Sequence, residues 1–217
     1  MIREEIGDAV WLGCGCPLWA SVGLVDAIRI GRDMGVEWDG SSASAQALLR
    51  DQSTRNFANG ILWQSDPDCI LLRDRFHHLS DAELEALAIF AGMSAGLRVT
   101  SDHLGELSPQ RLALWKMLLS LEDGLCHYPL LGQSPLTMTL PTNAPPRIHA
   151  LDPVLVQVRR PHDSAAPIAV FILNTGEVTV QRSYPLELLG LPAPLHAQEW
   201  AGAEGLSAAQ PLHRLEL

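Results

Sequence analysis

Short, continuous apolar runs alternate with segments of helical periodicity over the first 120 or so residues. The runs VWLGCG at 10–15 and LVDAIRI at 24–30 have no polar alternation, which is typical of parallel strands covered on both faces. A third strand region is predicted at 60–63 and 69–72, on either side of an SDPD turn, and a fourth strand at 97–100. The pattern predicts βα units that build a parallel sheet.

Helices are predicted at 1–8, between the later strands and after the last one. In the helix predicted at 41–56, Ala45, Leu48 and Leu49 recur at i, i+3, i+4. In the helix that follows residue 80, the apolar stripe is formed by Leu84, Leu87 and Phe90. The predicted N-caps are Ser41 or Ser42, then Ser80 in a capping box with Glu83, then Ser108 followed by Pro109.

The pattern changes after residue 122. Residues 123–150 lose periodicity and gain proline and glycine, so we predict a connector with one short strand, LTMTL at 136–140. Residues 151–217 contain short β-rich runs separated by turn signals. These runs are VLVQVRR, IAVFILNT, VTVQRSY and HAQEW. The predicted domains are therefore α/β at 1–122, the connector at 123–150 and a small antiparallel β domain at 151–217.

Charge and hydropathy exclude several classes of partner. A formal net charge of −10, with scattered lysine and arginine, argues against nucleic acid. No run of about 18 apolar residues is present, so we expect no membrane partner. The first 13 residues lack the features of a signal peptide, which favours the cytoplasm.

Four cysteines raise disulfide and zinc hypotheses, namely Cys14, Cys16, Cys69 and Cys126. Cys14 and Cys16 are too close for an unstrained mutual disulfide, and no CxxC-type knuckle is present. We therefore expect reduced, mostly buried thiols and no metal site. GCGC contains a GxG, but without a third glycine and an opening helix it predicts no dinucleotide cofactor.

Arg29 lies at the end of the second predicted strand, and Asp33 follows it. In an α/β barrel the catalytic groups lie where parallel strands end, so this pair is a candidate substrate anchor and acid. A surface Arg/Asp pair in a loop is the alternative, and spacing does not separate the two.

Three consecutive motifs carry a family resemblance. GILWQSDPDCILLR, at 60–73, resembles the WNDPDM and LNDPDCLLLR segments of the clan D glycoside hydrolases, the α-galactosidases of families 27 and 36. RIGRD resembles the segment with their acid/base aspartate, and AGMSAGLRVTSDHLGELSPQRLALW resembles their last barrel strand, turn and helix. The resemblance covers residues 10 to about 120, and the GCGC run is closest to bacterial family 36 members. It implies the C-terminal half of a (β/α)8 TIM barrel, strands five to eight, followed by an antiparallel β domain.

The resemblance also implies roles for single residues. Asp33 matches the acid/base aspartate of a retaining mechanism, and Arg29 matches an arginine that contacts sugar hydroxyls. Asp66 and Asp68 match the family's DPD as substrate-binding residues, although Asp68 is equally a structural acceptor. Trp63 matches a tryptophan near the sugar, with core packing as the alternative.

Three further positions complete the comparison. Cys14 and Cys16 lie where family 36 has a Cys/Gly-rich loop at the sugar 2-hydroxyl, so they are binding candidates. Asp102 matches the aspartate of the clan's last turn, while His103 departs from the pattern there.

The resemblance leaves one essential group unassigned. No segment of this sequence matches the strand with the nucleophile aspartate. We therefore expect a fragment of a retaining α-galactosidase that binds α-galactosides without a cofactor and is inactive alone. The alternatives are a non-catalytic half-barrel remnant or assembly module, and an α-N-acetylgalactosaminide or β-L-arabinopyranoside as substrate. Self-association, or a partner that supplies the N-terminal half-barrel, is also expected.

Overall fold

A computed structural model describes residues 2–39, 43–94, 96–130, 153–193, 195–200 and 202–216 of the chain. Two compact units make up the molecule. The first comprises Met1–His127 with Arg159–Ala169, and the second comprises Tyr128–Val158 with Val170–Leu217. Most of the predicted connector, including the LTMTL strand, lies outside the described residues.

The first unit is built on a three-stranded parallel sheet. Its strands are β1 (Leu12–Gly13), β2 (Ala27–Arg29) and β3 (Gln64–Asp66), in the order β1-β2-β3. β1 and β2 pair in parallel, as do β2 and β3, with Arg29 opposite Asp66. The prediction of parallel strands at the first two apolar runs is confirmed.

The third and fourth predicted strands are wrong in position. β3 lies on polar Gln64–Asp66, whereas 60–63 forms a turn around Gly60, whose φ is +71°, and 69–72 is not a strand. Ser65 and Asp66 of this strand are buried, and tertiary partners hold them: the Ser65 N–H donates to the Asn59 side chain at 2.8 Å, and Arg29 Nε donates to Asp66 Oδ2 at 2.9 Å.

The predicted strand at 97–100 is an irregular segment held beside β3. The Leu97 N–H donates to the Ser65 carbonyl at 2.7 Å, and the Ile70 N–H donates to the Val99 carbonyl at 2.8 Å. Gly96 permits this approach, because a Cβ there would lie 2.0 Å from the Ser65 carbonyl oxygen.

The described residues contain four α-helices, α1 (Ile2–Ile6), α2 (Ala45–Arg55), α3 (Asp81–Met93) and α4 (Pro109–Ser120). The capping box of Ser80 and Glu83 on α3 and the Ser108 cap with Pro109 on α4 are confirmed. The N-cap of α2 is Ser44 rather than Ser41 or Ser42, and its hydroxyl accepts from the Ala47 N–H. Ser41 and Ser42 lie outside the described residues. Helix α2 therefore starts later than the sequence pattern predicts.

The apolar side chains of these elements form the core of the first unit. Leu84, Leu87 and Phe90 of the predicted stripe are each fully buried. A second apolar cluster joins β2 to the turn before β3, and it contains Val25, Ile28, Ile30, Ala58 and Trp63. Among the described residues, no helix is long and apolar enough to cross a bilayer.

Short strands dominate the rest of the chain. They are β4 (Gly124–His127), β5 (Val154–Pro161), β6 (Ala169–Asn174), β7 (Ser183–Pro185), β8 (Leu195–Ala197), β9 (Gln210–Leu212) and β10 (Arg214–Glu216). β5 is central in a sheet of order β4-β5-β6, and the pairs β7–β10 and β8–β9 are antiparallel. Of the predicted VTVQRSY strand only the end is β7, and the pattern missed β9 and β10.

Five one-turn 3-10 helices complete the secondary structure of the described residues: Trp19–Ser21, Asn56–Ala58, Leu104–Glu106, Leu186–Leu189 and Gly202–Glu204.

Candidate functional site

The carboxyl ends of the three parallel strands meet at one edge of the sheet. Gly13 lies opposite Ile28, and Arg29 lies opposite Asp66. Cys14, Arg29 and Asp66 therefore come to the same edge, although they are far apart in sequence. In parallel α/β folds this edge is where ligands bind.

Arg29 is the centre of a charged cluster at this edge. Its Nε donates to Asp66 Oδ2 at 2.9 Å, and its Nη2 lies 3.0 Å from Asp68 Oδ1. Its Nη1 lies 3.5 Å from Asp33 Oδ1. The guanidinium therefore joins three carboxylates, of which Asp66 is almost completely buried and Asp33 is 90% exposed. The structure thus brings together four of the predicted site residues.

The charge on Arg29 is secured by its partners. Burial acts to lower the pKa of Arg29, but the hydrogen bond and charge of Asp66, with the charge of Asp68, outweigh burial and raise it. Arg29 consequently stays protonated and compensates two carboxylates that would otherwise be costly to bury.

Asp68 connects this cluster to the loop that carries Asp33. Its Oδ2 accepts from the Met34 N–H, and its Oδ1 accepts from the Cys69 N–H at 2.7 Å. Asp68 has a φ of +81°, in the left-handed region that aspartate tolerates better than bulky residues. The Asp68 N–H donates to Asp66 Oδ1 at 2.9 Å, so the two aspartates brace each other. Both carboxylates thereby position Arg29 and the Asp33 loop.

Helix α2 supports the same loop from its buried face, which the sequence pattern did not reveal. Arg55 donates to the Ile30 carbonyl and lies 3.7 Å from the buried carboxylate of Asp51. A Cβ on Gly31 would lie 3.1 Å from the Asp51 Cβ. One sequence signal was present: Asp51 lies three residues after Leu48, within the apolar stripe of α2. A charged residue at such a position indicates a buried polar contact.

Trp63 lies apart from the charged cluster. It immediately precedes β3, whereas Asp66 ends that strand, so the two residues are at opposite ends of it. The indole is 5% exposed and packs with Trp19 at a ring distance of 5.9 Å. This burial matches the core-packing alternative, and a sugar contact for Trp63 remains a prediction.

The cysteines and Asp102 complete the set of predicted positions. Cys14 is exposed and close enough to Arg29 to influence its pKa, whereas Cys16 is partly buried against the apolar cluster. None of the four cysteines is in a disulfide, and the described residues contain no group of three metal-ligating side chains. The buried Asp102 Oδ2 accepts from the Leu72 and Arg73 N–H groups, so it joins the segments that follow β3 and α3.

Solved structures of known enzymes resemble this chain, although no family model matches its sequence. The α-galactosidase from Thermus thermophilus, in complex with stachyose, is 30% identical over 56% of this chain and 28% of its own, with a TM-score of 0.50. The chain resembles the clan D α-galactosidases. The predicted resemblance is thus confirmed, and the chain covers well under half of the Thermus enzyme's length.

Two more distant structures resemble the chain in fold. A GH27 β-L-arabinopyranosidase from Geobacillus stearothermophilus is 14% identical, covers 93% of this chain and 45% of its own, and has a TM-score of 0.64. The Saccharomyces cerevisiae α-galactosidase with raffinose is 13% identical, covers 76% of this chain and 39% of its own, and has a TM-score of 0.51. These clan D neighbours are TIM-barrel glycoside hydrolases, in keeping with the mixed helix and sheet content here.

Proposed function

We propose that this chain supplies the acid/base half of a retaining α-galactosidase, as strands five to eight of a (β/α)8 barrel followed by an antiparallel β domain. The observation that carries the proposal is the Arg29 cluster at the carboxyl edge of the parallel strands. There two buried aspartates hold Arg29 and the Asp33 loop in place, while the Asp33 carboxyl reaches solvent. The 30% identity to the Thermus α-galactosidase supports the choice of substrate class.

The exposure of Asp33 suits an acid/base group. A retaining glycosidase needs one carboxyl to protonate the leaving oxygen and then to deprotonate the attacking water. Asp33 is the one carboxyl among Asp33, Asp66 and Asp68 that a ligand can reach. The nucleophilic carboxylate comes from a segment outside this sequence, and its approach would complete the pair.

Arg29 orients the substrate in this proposal. Its Nε and Nη2 groups engage Asp66 and Asp68, while Nη1 makes only the long 3.5 Å contact with Asp33. Arginine carries five N–H donors, so Nη1 can donate to a sugar hydroxyl beside the acid. Asp66 and Asp68 act as positioning residues through Arg29 and Met34.

The chain by itself should not turn over substrate, because the retaining mechanism needs two carboxyl groups and only Asp33 is placed to react. We expect purified chain to hydrolyse p-nitrophenyl α-galactoside at the buffer rate. A rate clearly above buffer that disappears in Asp33→Asn would show that this chain contains its own second carboxyl.

Activity should appear when the chain is joined to the barrel segment of the Thermus enzyme that precedes the matched region. In that protein Asp33→Asn should lower the rate on unactivated galactosides about 10²–10⁴-fold, the usual contribution of a general acid. Loss on the p-nitrophenyl substrate should be smaller, because its leaving group needs less protonation. Added azide, which needs no general base, should restore turnover of the p-nitrophenyl substrate.

Asp39 is an exposed aspartate of the same loop. Asp39→Asn is therefore the matched control and should keep full activity.

Equal losses on both substrates without azide rescue would make Asp33 a binding residue. If methyl α-galactoside also fails to shift the Arg29 Nε resonance of the original chain, the non-catalytic alternative is correct. Stronger turnover of an α-N-acetylgalactosaminide or β-L-arabinopyranoside would change the substrate.

A further inference from the structure

Three polar side chains of helix α2 lie within one turn of each other, namely Asp51, Gln52 and Arg55. Each contacts a segment that immediately follows a parallel strand. We propose that they are positioning residues for the Arg29 cluster. Gln52 and Arg55 hold the ends of β3 and β2 relative to each other, and Asp51 orients Arg55. That the positioned cluster is a galactosyl site rests on the proposed function.

Arg55 fixes the segment that follows β2. It donates to the Ile30 carbonyl, and its Nη1 lies 3.7 Å from Asp51 Oδ2. The Ile30 N–H donates to the Asp66 carbonyl at 3.1 Å, so both backbone groups of Ile30 are bonded to other elements. The loop that leads to Asp33 therefore starts from a residue whose position is fixed on two sides.

Gln52 fixes the segment that follows β3. Its Nε2 donates to the Pro67 carbonyl at 3.4 Å in a buried place. Pro67 lies between Asp66 and Asp68, whose carboxylates hold the Arg29 guanidinium. Because proline has no N–H, this carbonyl is its one polar backbone group. Helix α2 is thus bonded to both strand ends that build the cluster.

Stability alone does not account for these polar side chains. Gln52 is 1% exposed, and its Oε1 accepts no hydrogen bond from the described residues, which is unfavourable for a buried acceptor. Asp51 is 3% exposed and needs Arg50 and Arg55 to compensate its charge. The buried apolar Leu48 of the same helix carries neither cost. Such departures from the most stable choice are expected where side chains hold a functional site in place.

The distance between the two strand ends sets the geometry of the site. Arg29 and Asp33 belong to the first segment, and their partners Asp66 and Asp68 belong to the second. A shift of about 1 Å, caused by a residue remote from the reacting atoms, can cost about 10²-fold in rate. One rigid helix bonded to both segments prevents such a shift.

The test is hydrogen exchange in the full chain, measured by NMR at the Arg29 Nε–H and the Met34 N–H. Each of these groups donates to an aspartate of the cluster. Arg55→Met and Gln52→Met should each speed exchange at both groups about tenfold, the usual effect of losing one buried hydrogen bond. Unchanged exchange in both variants would overturn the proposal.

Matched controls separate positioning from a merely structural role. Arg50 pairs with the same Asp51 at 3.0 Å, but no bond from its side chain to either strand end is found among the described residues. Gln46 is exposed on the same helix. Arg50→Met and Gln46→Met should therefore leave both exchange rates unchanged, and Arg55→Lys, which keeps a donor, should restore slow exchange. Leu48→Val should lower the free energy of unfolding without speeding exchange, and equal acceleration there would overturn the proposal.

A sugar titration distinguishes this proposal from the proposed function. Affinity for methyl α-galactoside, followed at the Arg29 Nε resonance, should fall several-fold in Arg55→Met and Gln52→Met and stay unchanged in the two controls. Faster exchange in these variants, together with no response of the unaltered chain to the sugar, would uphold the positioning role and overturn the proposed function. Unaltered sugar affinity in variants with faster exchange would show that this geometry does not serve the ligand, which would overturn the positioning role.

Discussion

The charges of Arg29, Asp66 and Asp68 depend on one another, and this dependence dominates the chemistry at the residue scale. The two carboxylates are buried, and removing their common cation would leave them unpaired in a poorly solvated place. The exposed pair of Arg75 and Glu106 has a shorter contact, yet solvent screens it. The burial of the charges therefore matters more for stability than the length of the ion-pair contact.

This difference gives a measurable contrast between two arginine substitutions. Arg29→Met should lower the free energy of unfolding by about 3 kcal/mol, the lower end for breaking a buried ion pair. Arg75→Met should lower it by less than about 1 kcal/mol. Urea unfolding at neutral pH checks both. Similar losses in the two variants would show that the Arg29 cluster is solvated rather than buried.

At the element scale, one carboxylate joins helix α1 to the start of the parallel sheet. Asp26 Oδ2 accepts from Arg3 Nη2 at 2.7 Å and from the Trp11 N–H at 2.7 Å. The Arg3 hydrogen bond and then the Trp11 N–H lower the pKa of Asp26. Arg3 also donates to the Leu24 carbonyl, so α1 is held to the segment that leads into β2.

The lowered pKa predicts how acid affects this contact. A carboxyl with a lowered folded pKa contributes stability that is complete above its unfolded value, about 3.9, and is lost as pH falls through the folded value. The melting-temperature difference between the chain and Asp26→Asn should therefore be largest near pH 6 and shrink below about pH 4. Arg3→Gln removes the largest cause and should show the same trend. A difference that does not change with pH would contradict this linkage.

At the whole-molecule scale, the parallel sheet has an open edge. β1 is the first strand in the order β1-β2-β3, and among the described residues no strand pairs with its outer side. Leu12 of β1 is 42% exposed, and Val10 just before it is 80% exposed. An edge that exposes backbone donors and apolar side chains favours association with another chain.

We therefore expect the isolated chain to self-associate. Size-exclusion chromatography with light scattering should show a mass above the 23.6 kDa of one chain. Leu12→Lys places a charge on the edge and should shift the population toward monomer. Val178→Lys alters an exposed valine far along the sequence and should leave the mass unchanged. A monodisperse, cooperatively melting monomer of the unaltered chain would refute the expectation.

The sequence by itself determined the elements whose signals are local. Ser80 and Glu83 specify the start of α3 because a capping box needs only residues three apart, and Ser108 with Pro109 does the same for α4. The first two parallel strands follow from continuous apolar runs. The position of Arg29 at the end of the second strand also followed from the apolar run that precedes it.

Only the tertiary structure decided the elements whose stability comes from distant partners. β3 forms on Gln64–Asp66, where the Asn59 side chain accepts from the Ser65 N–H and Arg29 donates to the Asp66 carboxylate, and no apolar pattern records such contacts. The Asp68 bond to Met34 was likewise invisible, since it joins segments far apart in sequence. Hydrophobic periodicity predicts which apolar side chains are buried. These charged side chains are buried instead because a specific cation or N–H group compensates each of them.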